Sequence, residues 1–240
     1  MLKSQTAISF LHNQGVARVP GGWILSGTDK PLVATDNLMR TDDNLTVLVR
    51  NMGAIPPQLR AKHYDHIGDI DVVGDTIYAP LEQSNYNLGV QVTAFYDVRT
   101  LRFRGYVTLH QHQNSFVTLD PATMIAYTQD EFDGNTLLRY DVRHEWKPLA
   151  PFVMSQSLHH TQGASVSRGA IWLSTSDPQN HIYRIDLGTG QVDLLGTHGH
   201  PGGEGEGIDA TQLPSGSLHT LVLDPNQRHI WFENFEVVRR

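Results

Sequence analysis

Five short polar motifs, spaced 44 to 53 residues apart, carry most of the side chains in this sequence that are suited to chemistry. Each motif begins with a histidine or a carboxylate residue and leads into a run of strand-forming residues. The motifs are His12-Asn13-Gln14-Gly15, Asp65-His66-Ile67-Gly68, His112-Gln113-Asn114-Ser115, His160-Thr161-Gln162-Gly163 and Glu204-Gly205-Glu206-Gly207. Imidazoles and carboxylates bind metal ions and transfer protons near neutral pH, so the motifs predict a metal site or an acid–base site.

Alternate residues of a strand face the same side, so the first and third residues of each motif and the residue after it are expected to share a face. If that face lines a channel, three rings result. The outer ring is His12, Asp65, His112, His160 and Glu204, although His63 and His66 compete with Asp65 for its place. The second ring is Gln14, Ile67, Asn114, Gln162 and Glu206. The innermost ring is Val16, Phe116, Ala164 and Ile208, with Asp69 as a polar exception.

Histidines and carboxylates that converge on one axis predict a divalent metal ion. This donor set favours Zn²⁺, Mn²⁺ or Fe²⁺, and the carboxylate and amide oxygens keep Ca²⁺ or Mg²⁺ open. The preferred ligands are Glu206, His160 and His112, and either Asp69 or His12 completes the set.

The remaining polar residues of the motifs receive catalytic roles in the same hypothesis. A spare histidine, His12 or His66, would act as general base, because the unperturbed pKa of histidine lies near neutrality. Gln162 and Asn114 would orient a substrate or stabilise an oxyanion. The sequence contains no Gly-x-Ser-x-Gly motif, so a serine elbow is not predicted.

A purely structural interpretation of the motifs competes with the functional one. Blades of a repeat protein resemble one another because they are duplicated, and a polar lumen can hold water alone. In that case the motif is a strand-entry turn, its glycine permits a positive φ, and its histidine bonds the backbone of a neighbouring repeat.

The elements that must position these motifs are short strands separated by turns. Helical periodicity is almost absent, and turn signals such as Gly74-Asp75 and Asp120-Pro121 divide alternating or β-branched runs. Tyr96-Asp97-Val98, Tyr140-Asp141-Val142 and Ile185-Asp186-Leu187 recur 44 and 45 residues apart, each in the third strand of a unit. Five units of four strands predict an all-β chain folded as a five-bladed β-propeller.

The predicted domain spans residues 1–240. The predicted blades comprise residues 12–50, 65–109, 112–154, 160–198 and 204–240, and residues 7–11 supply the outer strand of the last blade. This N-terminal strand would close the ring and remove an exposed edge. An open β-sandwich or two small β-domains are the alternative.

Composition and charge restrict the partners of the chain. The net charge of −7 argues against broad binding of nucleic acid, and no run approaches the roughly 18 apolar residues of a membrane span. The absence of cysteine excludes disulfides and thiolate sites. We expect a small-molecule partner, no nucleic acid and no membrane, and the oligomeric state stays open. The first residues contain no signal-peptide pattern, which predicts a cytoplasmic protein or one secreted with its leader removed.

One blade resembles a known enzyme family. The residues Thr161–Ala164, Ile171–Thr175 and Ile185–Gly190 are similar to the plant-type glutaminyl cyclase pattern, which implies five blades and a metal ion in the channel. Leu173 stands where that family carries a glutamate. Separately, Glu206-Gly207 resembles the first metal-binding residues of gluconolactonase/regucalcin-type propellers, which implies a metal-dependent lactonase.

The resulting functional prediction is a metal-dependent hydrolase of lactone or ester type that acts at the mouth of the channel. The metal would polarise a carbonyl oxygen and lower the pKa of bound water. A lyase or cyclase, including a glutaminyl-cyclase-like enzyme, fits the same residues. A non-catalytic propeller that binds a ligand or protein around a structural ion is the third alternative.

Overall fold

Short antiparallel strands form five sheets around one axis in a computed structural model of the chain, which describes residues 1–29, 35–83, 88–130, 133–226 and 228–237. Four of the sheets have four strands and one has five. The predicted five-bladed β-propeller is therefore confirmed. Turn residues separate the strands as the sequence indicates, and within a blade most strands pair with the next along the chain.

Four blades are built from consecutive strands. Blade 1 contains β2 (Gly15–Val19), β3 (Gly22–Asp29), β4 (Thr35–Thr41) and β5 (Val47–Asn51). Blade 2 contains β6 (Tyr64–Ile67), β7 (Asp71–Val73), β8 (Thr76–Gln83), β9 (Gln91–Asp97) and β10 (Phe103–Leu109). Blade 3 contains β11 (Thr118–Asp120), β12 (Ile125–Thr128), β13 (Gly134–Asp141) and β14 (Lys147–Leu158). Blade 4 contains β15 (Thr161–Ser167), β16 (Ala170–Thr175), β17 (His181–Asp186) and β18 (Val192–Thr197).

Blade 5 joins the two ends of the chain. It contains β19 (Glu204–Asp209), β20 (Ser217–Leu223), β21 (Ile230–Glu236) and, as its outer strand, β1 (Leu2–Ile8). β1 pairs antiparallel with β21, and Lys3 Nζ lies 3.0 Å from Glu236 Oε1. The predicted closure is confirmed, although the strand begins at Leu2 and ends before Phe10.

Helical structure is sparse in the described residues. The only α-helix among them is α1 (Pro57–Arg60), in the insertion between blades 1 and 2, and 3₁₀ turns occur at Phe10–His12, Val142–His144 and Leu213–Ser215. No helix in this part of the chain is long and apolar enough to cross a membrane.

The inner strands approach the axis so closely that glycine is required at the end of four motifs. A methyl group on Gly207 would lie 2.6 Å from Asp69 Oδ1, and one on Gly163 would lie 2.8 Å from the Cα of Gly207. One on Gly15 would lie 2.8 Å from the Cα of Asp69, and one on Gly68 would overlap the carbonyl of Ser115. None of these glycines has a positive φ. The turn interpretation of these glycines is therefore wrong, because close approach rather than φ selects them.

Asp69 joins all five blades at this axis. Its Oδ1 accepts a hydrogen bond from the backbone N–H of Val16 (3.0 Å), and its Oδ2 accepts from Ala164 (3.0 Å) and Ile208 (3.3 Å). The Asp69 N–H donates to the carbonyl of Ser115 at 2.8 Å, and a parallel bridge links Asp69 to Phe116. We call this arrangement the Asp69 hub. Its neighbours are the members of the predicted innermost ring.

Apolar layers between the blades support the hub. The largest such layer packs Ile24 and Leu38 of blade 1 against Ile67, Ile77 and Ala94 of blade 2. Another packs Leu173 and Ile185 of blade 4 against Leu137 and Met154 of blade 3. Because the apolar core lies between the sheets, the polar residues at the starts of the inner strands can form a polar face.

The Asp69 hub predicts a large loss of stability for Asp69→Asn. The amide replaces one acceptor with a donor that faces backbone N–H groups, so the free energy of unfolding should fall by roughly 3 kcal/mol in urea titrations. Asp75→Asn is the control, because Asp75 is an exposed residue of the same blade that pairs with Arg104 at 3.1 Å. Asp75→Asn should leave the free energy of unfolding close to that of the parent protein. Equal losses in the two variants would contradict the hub.

Candidate functional site

A small pocket opens where the inner strands of blades 4 and 5 begin. Its volume is about 220 Å³. It is lined by His160, Ser176, Gly202, Gly203, Glu204, Leu223, Asp224 and Pro225. We call it the mouth pocket, because Glu204 and His160 belong to the outer of the three predicted rings. Gln162 is adjacent, since its Nε2 donates to Ser176 Oγ at 3.0 Å.

The backbone around His160 is held in a conformation that is unusual for a residue with a side chain. His160 has a φ of 51°, in the left-handed region. Its N–H donates to Asp133 Oδ1 at 2.9 Å, and its carbonyl accepts from the N–H of Ser176 at 2.8 Å. These two bonds fix the backbone while the imidazole stays exposed at the rim of the pocket.

A β-bulge places Glu206 beneath Glu204. The pairing of β19 with β20 shifts register between Gly205 and Ile208, so Glu206 falls in the unpaired stretch. Glu206 is only 3% exposed, and no described group donates a hydrogen bond to its carboxylate. Burial, followed by the charges of Glu204 and Asp69, raises the pKa of Glu206 well above its ordinary value, which favours the protonated form.

Glu204 titrates in a different environment. Burial also raises the pKa of Glu204, but the charge of His160 opposes that rise. Glu204 is half-buried, whereas Glu206 is enclosed. Glu204 therefore lines the pocket beside the imidazole of His160, while Glu206 is enclosed two residues further along β19, and burial raises the pKa of Glu206 the more strongly.

The structure places His12 away from the mouth pocket. It ends the 3₁₀ turn Phe10–His12, which packs on β3 and β4 of blade 1, and it is 4% exposed. Burial, followed by the charge of Arg50 in the outer strand, lowers the pKa of His12 to about 4. The 3₁₀ turn corrects the expectation that His12 begins an inner strand, while its role as a ligand or general base stays a prediction.

Asn114 is also misplaced by the simple alternation rule. Its Nδ2 donates to the carbonyl of Val92 at 2.8 Å, and its Oδ1 accepts from Thr128 Oγ1 at 2.8 Å. These bonds fix the fully buried amide between blades 2 and 3. The predicted role in oxyanion binding is therefore wrong, because the amide is engaged in holding two blades together.

The histidines of blades 2 and 3 lie beside their own carboxylates. His112, with 57% of its side chain exposed, has its Nδ1 3.2 Å from Asp130 Oδ1. His66 Nε2 lies 3.9 Å from Glu82 Oε2. Neither contact brings the imidazole to Glu206, so both histidines occupy separate sites on the same face.

The predicted ligands are not gathered into a metal-binding group. Both carboxylate oxygens of Asp69 accept backbone N–H groups in the hub, which corrects its assignment as a ligand. Within the described ranges, no three histidine, aspartate or glutamate side chains come together as metal ligands would. Of the predicted set, Glu206 and His160 lie near the mouth pocket, whereas His112 and His12 do not. Binding of a divalent ion stays a prediction.

A buried network that the sequence analysis missed lies next to this pocket. Ser174 Oγ lies 2.8 Å from His198 Nε2, and His198 Nδ1 lies 3.1 Å from Glu233 Oε2. Gln5 Nε2 and the N–H of Gly199 donate to Glu233 Oε1 at 2.7 and 2.9 Å. The glycine-rich segment after His198 was the one available signal, but its partners lie far apart in sequence.

Ser174, His198 and Glu233 contact one another in the same arrangement as a catalytic Ser–His–Glu triad, but all three side chains are buried. The side chains of His198 and Glu233 are fully buried, and Ser174 has no exposed surface. A methyl group on Gly205 would lie 2.8 Å from His198 Nε2, so β19 covers the imidazole. The network links blade 4 to blade 5 and, through Gln5, to the closing strand β1.

Glu233 makes stability depend on pH in a defined direction. Burial raises the pKa of Glu233, but the hydrogen bond and charge of His198 and the donors Gln5 and Gly199 lower it more, so the net shift is downward. The network therefore stabilises the fold above the ordinary glutamate pKa, and this stabilisation is lost as pH falls through the lowered pKa.

We expect Glu233→Gln to reduce the free energy of unfolding by about 2 kcal/mol at pH 7. The difference from the parent protein should shrink between pH 5 and 3, as followed by urea unfolding across that range. Glu236→Gln on the same strand is the matched control, because Glu236 pairs with Lys3 in solvent. A deficit that stays constant down to pH 3, or that is equal in both variants, would show that the buried pair has no such role.

Comparisons with known proteins place the chain by its fold. No protein-family model and no curated protein matches it. A solved structure of a putative exo-β-1,3-galactanase from Bifidobacterium bifidum is similar, with a TM-score of 0.63 and 13% identity over 97% of this chain and 90% of that chain. Luciferin-regenerating enzyme is similar with a TM-score of 0.58 and 9% identity over 92% of this chain and 77% of that chain.

A third similar structure is an engineered glycoside hydrolase with endo-xylanase and exo-arabinofuranosidase activity. Its TM-score is 0.61 at 11% identity, and the match covers 92% of this chain but 49% of that chain. The chain thus has the fold of propeller enzymes that include hydrolases. At these identities the similarity concerns the fold alone. The resemblance to glutaminyl cyclases and gluconolactonases is not shown by these matches and stays a prediction.

Proposed function

We propose that the protein is a hydrolase whose reacting groups are Glu204, which lines the mouth pocket, and Glu206, which is enclosed two residues further along β19. The observation that carries the proposal is the pair of carboxylates with unequally perturbed pKa values at the start of one inner strand. Such pairs supply a proton donor and a base to the same bond. The favoured substrate is a small, uncharged molecule with a glycosidic bond.

Glu206 is the proton donor in this proposal. Its enclosed carboxyl favours the protonated form, so it transfers a proton to the oxygen of the leaving group as the bond breaks. Asp69 accepts backbone N–H groups in the hub, and burial raises its pKa well above the ordinary value although those hydrogen bonds lower it. The reaction rate should therefore fall as pH rises above the pKa of Glu206.

Glu204 is the ionised partner. It is closer to solvent, and the charge of His160 favours its carboxylate form. It acts as a general base toward water or as a nucleophile toward the sugar carbon, the two roles that carboxylates take in glycoside hydrolysis. Gln162 and Ser176 lie beside it and would hold substrate hydroxyl groups.

The size and charge of the mouth pocket support this substrate class. A volume of about 220 Å³ admits one small ring or the end of a chain. Glu204 and Asp224 in the lining repel anions, and the net charge of −7 adds to that field. The galactanase and glycoside hydrolase activities of the similar structures agree with a sugar, although their identity to this chain is low.

Metal-assisted hydrolysis of a lactone or ester is the second candidate. It is favoured by the position of His160 beside Glu204, since an imidazole and a carboxylate are donors for Zn²⁺ or Mn²⁺ and water would supply the remaining ligands. A bound ion would polarise the carbonyl oxygen, while Glu206 or Glu204 would transfer the proton.

A substrate panel separates the two candidates. Purified protein is assayed with aryl glycosides, aryl esters and lactones, before and after EDTA treatment. We expect turnover of an aryl glycoside that resists EDTA, and Glu206→Gln should reduce kcat by about 10²- to 10⁴-fold. Glu145→Gln, in an exposed turn of blade 3, is the control and should leave kcat unchanged.

The other outcomes have defined meanings. A different result is turnover of lactones or esters in a reaction that EDTA abolishes and that Zn²⁺ or Mn²⁺ restores. That result would favour metal-assisted hydrolysis over the glycosidase. Full activity in Glu206→Gln would contradict the assignment of the proton donor. A sugar that raises the melting temperature without turnover would identify a non-catalytic binding propeller.

A further inference from the structure

A larger groove lies at the opposite ends of the strands that form the mouth pocket. β15 starts at the mouth and ends at Ser167, and Ser167 and Arg168 line this second cavity of about 890 Å³. The groove separates the outer halves of blades 4 and 5. Its apolar wall comprises Trp172, Ile182, Leu194, Leu213, Leu218 and Phe235. We call it the lower groove.

Blades 4 and 5 pack against each other through a buried cluster that includes Trp172, Leu218 and Phe235, and the lower groove opens beside this cluster. Between blades 2 and 3, Trp146 fills the comparable space, with its ring 5.8 Å from Phe95 and 6.0 Å from Tyr78. At the lower groove the rings of Trp172 and Phe235 line the cavity, and Leu194 and Leu195 of the outer strand β18 are 58% and 44% exposed. The Nε1 of Trp172 in the wall has no acceptor among the described residues. An apolar cavity of this size suits a small-molecule ligand.

Among the described residues that line the groove, the guanidinium of Arg168 has no carboxylate partner, and the N-terminal ammonium of Met1 donates to the backbone carbonyl of Glu236 at 2.7 Å. Arg184 is paired with Asp186 at 3.0 Å and with Asp193 at 3.2 Å, and Glu236 is paired with Lys3. Arg168 lies on the rim, is exposed, and makes no ion pair with any described residue. An apolar wall beside an unpaired guanidinium is complementary to a molecule with an apolar body and one anionic end.

We propose that the lower groove binds an amphipathic carboxylate, with its hydrocarbon body against Trp172 and Leu194 and its carboxylate on Arg168. This site is independent of the proposed hydrolase activity, because it shares no residue with the mouth pocket. Burial of the hydrocarbon drives binding, and the guanidinium selects the charged ligand over a neutral one of equal length.

The test compares decanoate with decanol by isothermal titration calorimetry on the intact protein. We expect saturable binding of decanoate that is about tenfold tighter than that of decanol. Arg168→Gln should weaken the binding of decanoate by about tenfold and leave the affinity for decanol unchanged. Leu194→Ser should weaken the binding of both ligands. Arg99→Gln, in an exposed turn of blade 2, and Leu48→Ser, on the exposed outer strand of blade 1, are the matched controls.

Three results would overturn the proposal. Equal affinities for decanoate and decanol would show that Arg168 does not select an anionic ligand. Unchanged decanoate binding in both Arg168→Gln and Leu194→Ser would place the ligand elsewhere. Sedimentation showing a dimer that Leu194→Ser dissociates would assign the groove to a second copy of this chain.

Discussion

A single buried carboxylate satisfies backbone groups from several blades at the axis of this propeller. Glycines at the ends of four motifs let the inner strands approach one another, and this approach leaves N–H groups of Val16, Ala164 and Ile208 with no strand partner across the axis. Asp69 accepts all three. Burying unpaired N–H groups costs about 1–3 kcal/mol each, so the closed ring depends on this acceptor.

The same hub determines the chemistry of the mouth. Burial does most to raise the pKa of Glu206, and the negative charges of Glu204 and Asp69 add to it. The bulge in β19 keeps Glu206 out of the strand pairing, while β15 presents His160 from the neighbouring blade. In the proposed function, the acid–base pair is thus produced by the closing of the ring rather than by a dedicated catalytic loop. The Ser174–His198–Glu233 network beside it fastens blades 4 and 5 together without access to a substrate.

The repeat period and the turn residues were sufficient to predict the propeller and its closing strand, and the innermost ring was identified with Asp69 as its exception. The direction in which each side chain points was harder to predict, because register shifts in β6, β15 and β19 break the strict alternation on which the rings were based. His12 and Asn114 depart from the predicted rings for related reasons, since a 3₁₀ turn and an inter-blade bond redirect them. No local pattern reveals that Ser174, His198 and Glu233 meet, because only the folded ring brings them together.

Amide hydrogen exchange measured by NMR tests the Asp69 hub most directly. If the carboxylate holds the inner strands together, the N–H groups of Val16, Ala164 and Ile208 exchange only through global unfolding, with the slowest rates in the protein. Exchange of these three amides as fast as that of amides in the outer strand β18 would contradict the account, because the bonds to Asp69 would then not persist in solution.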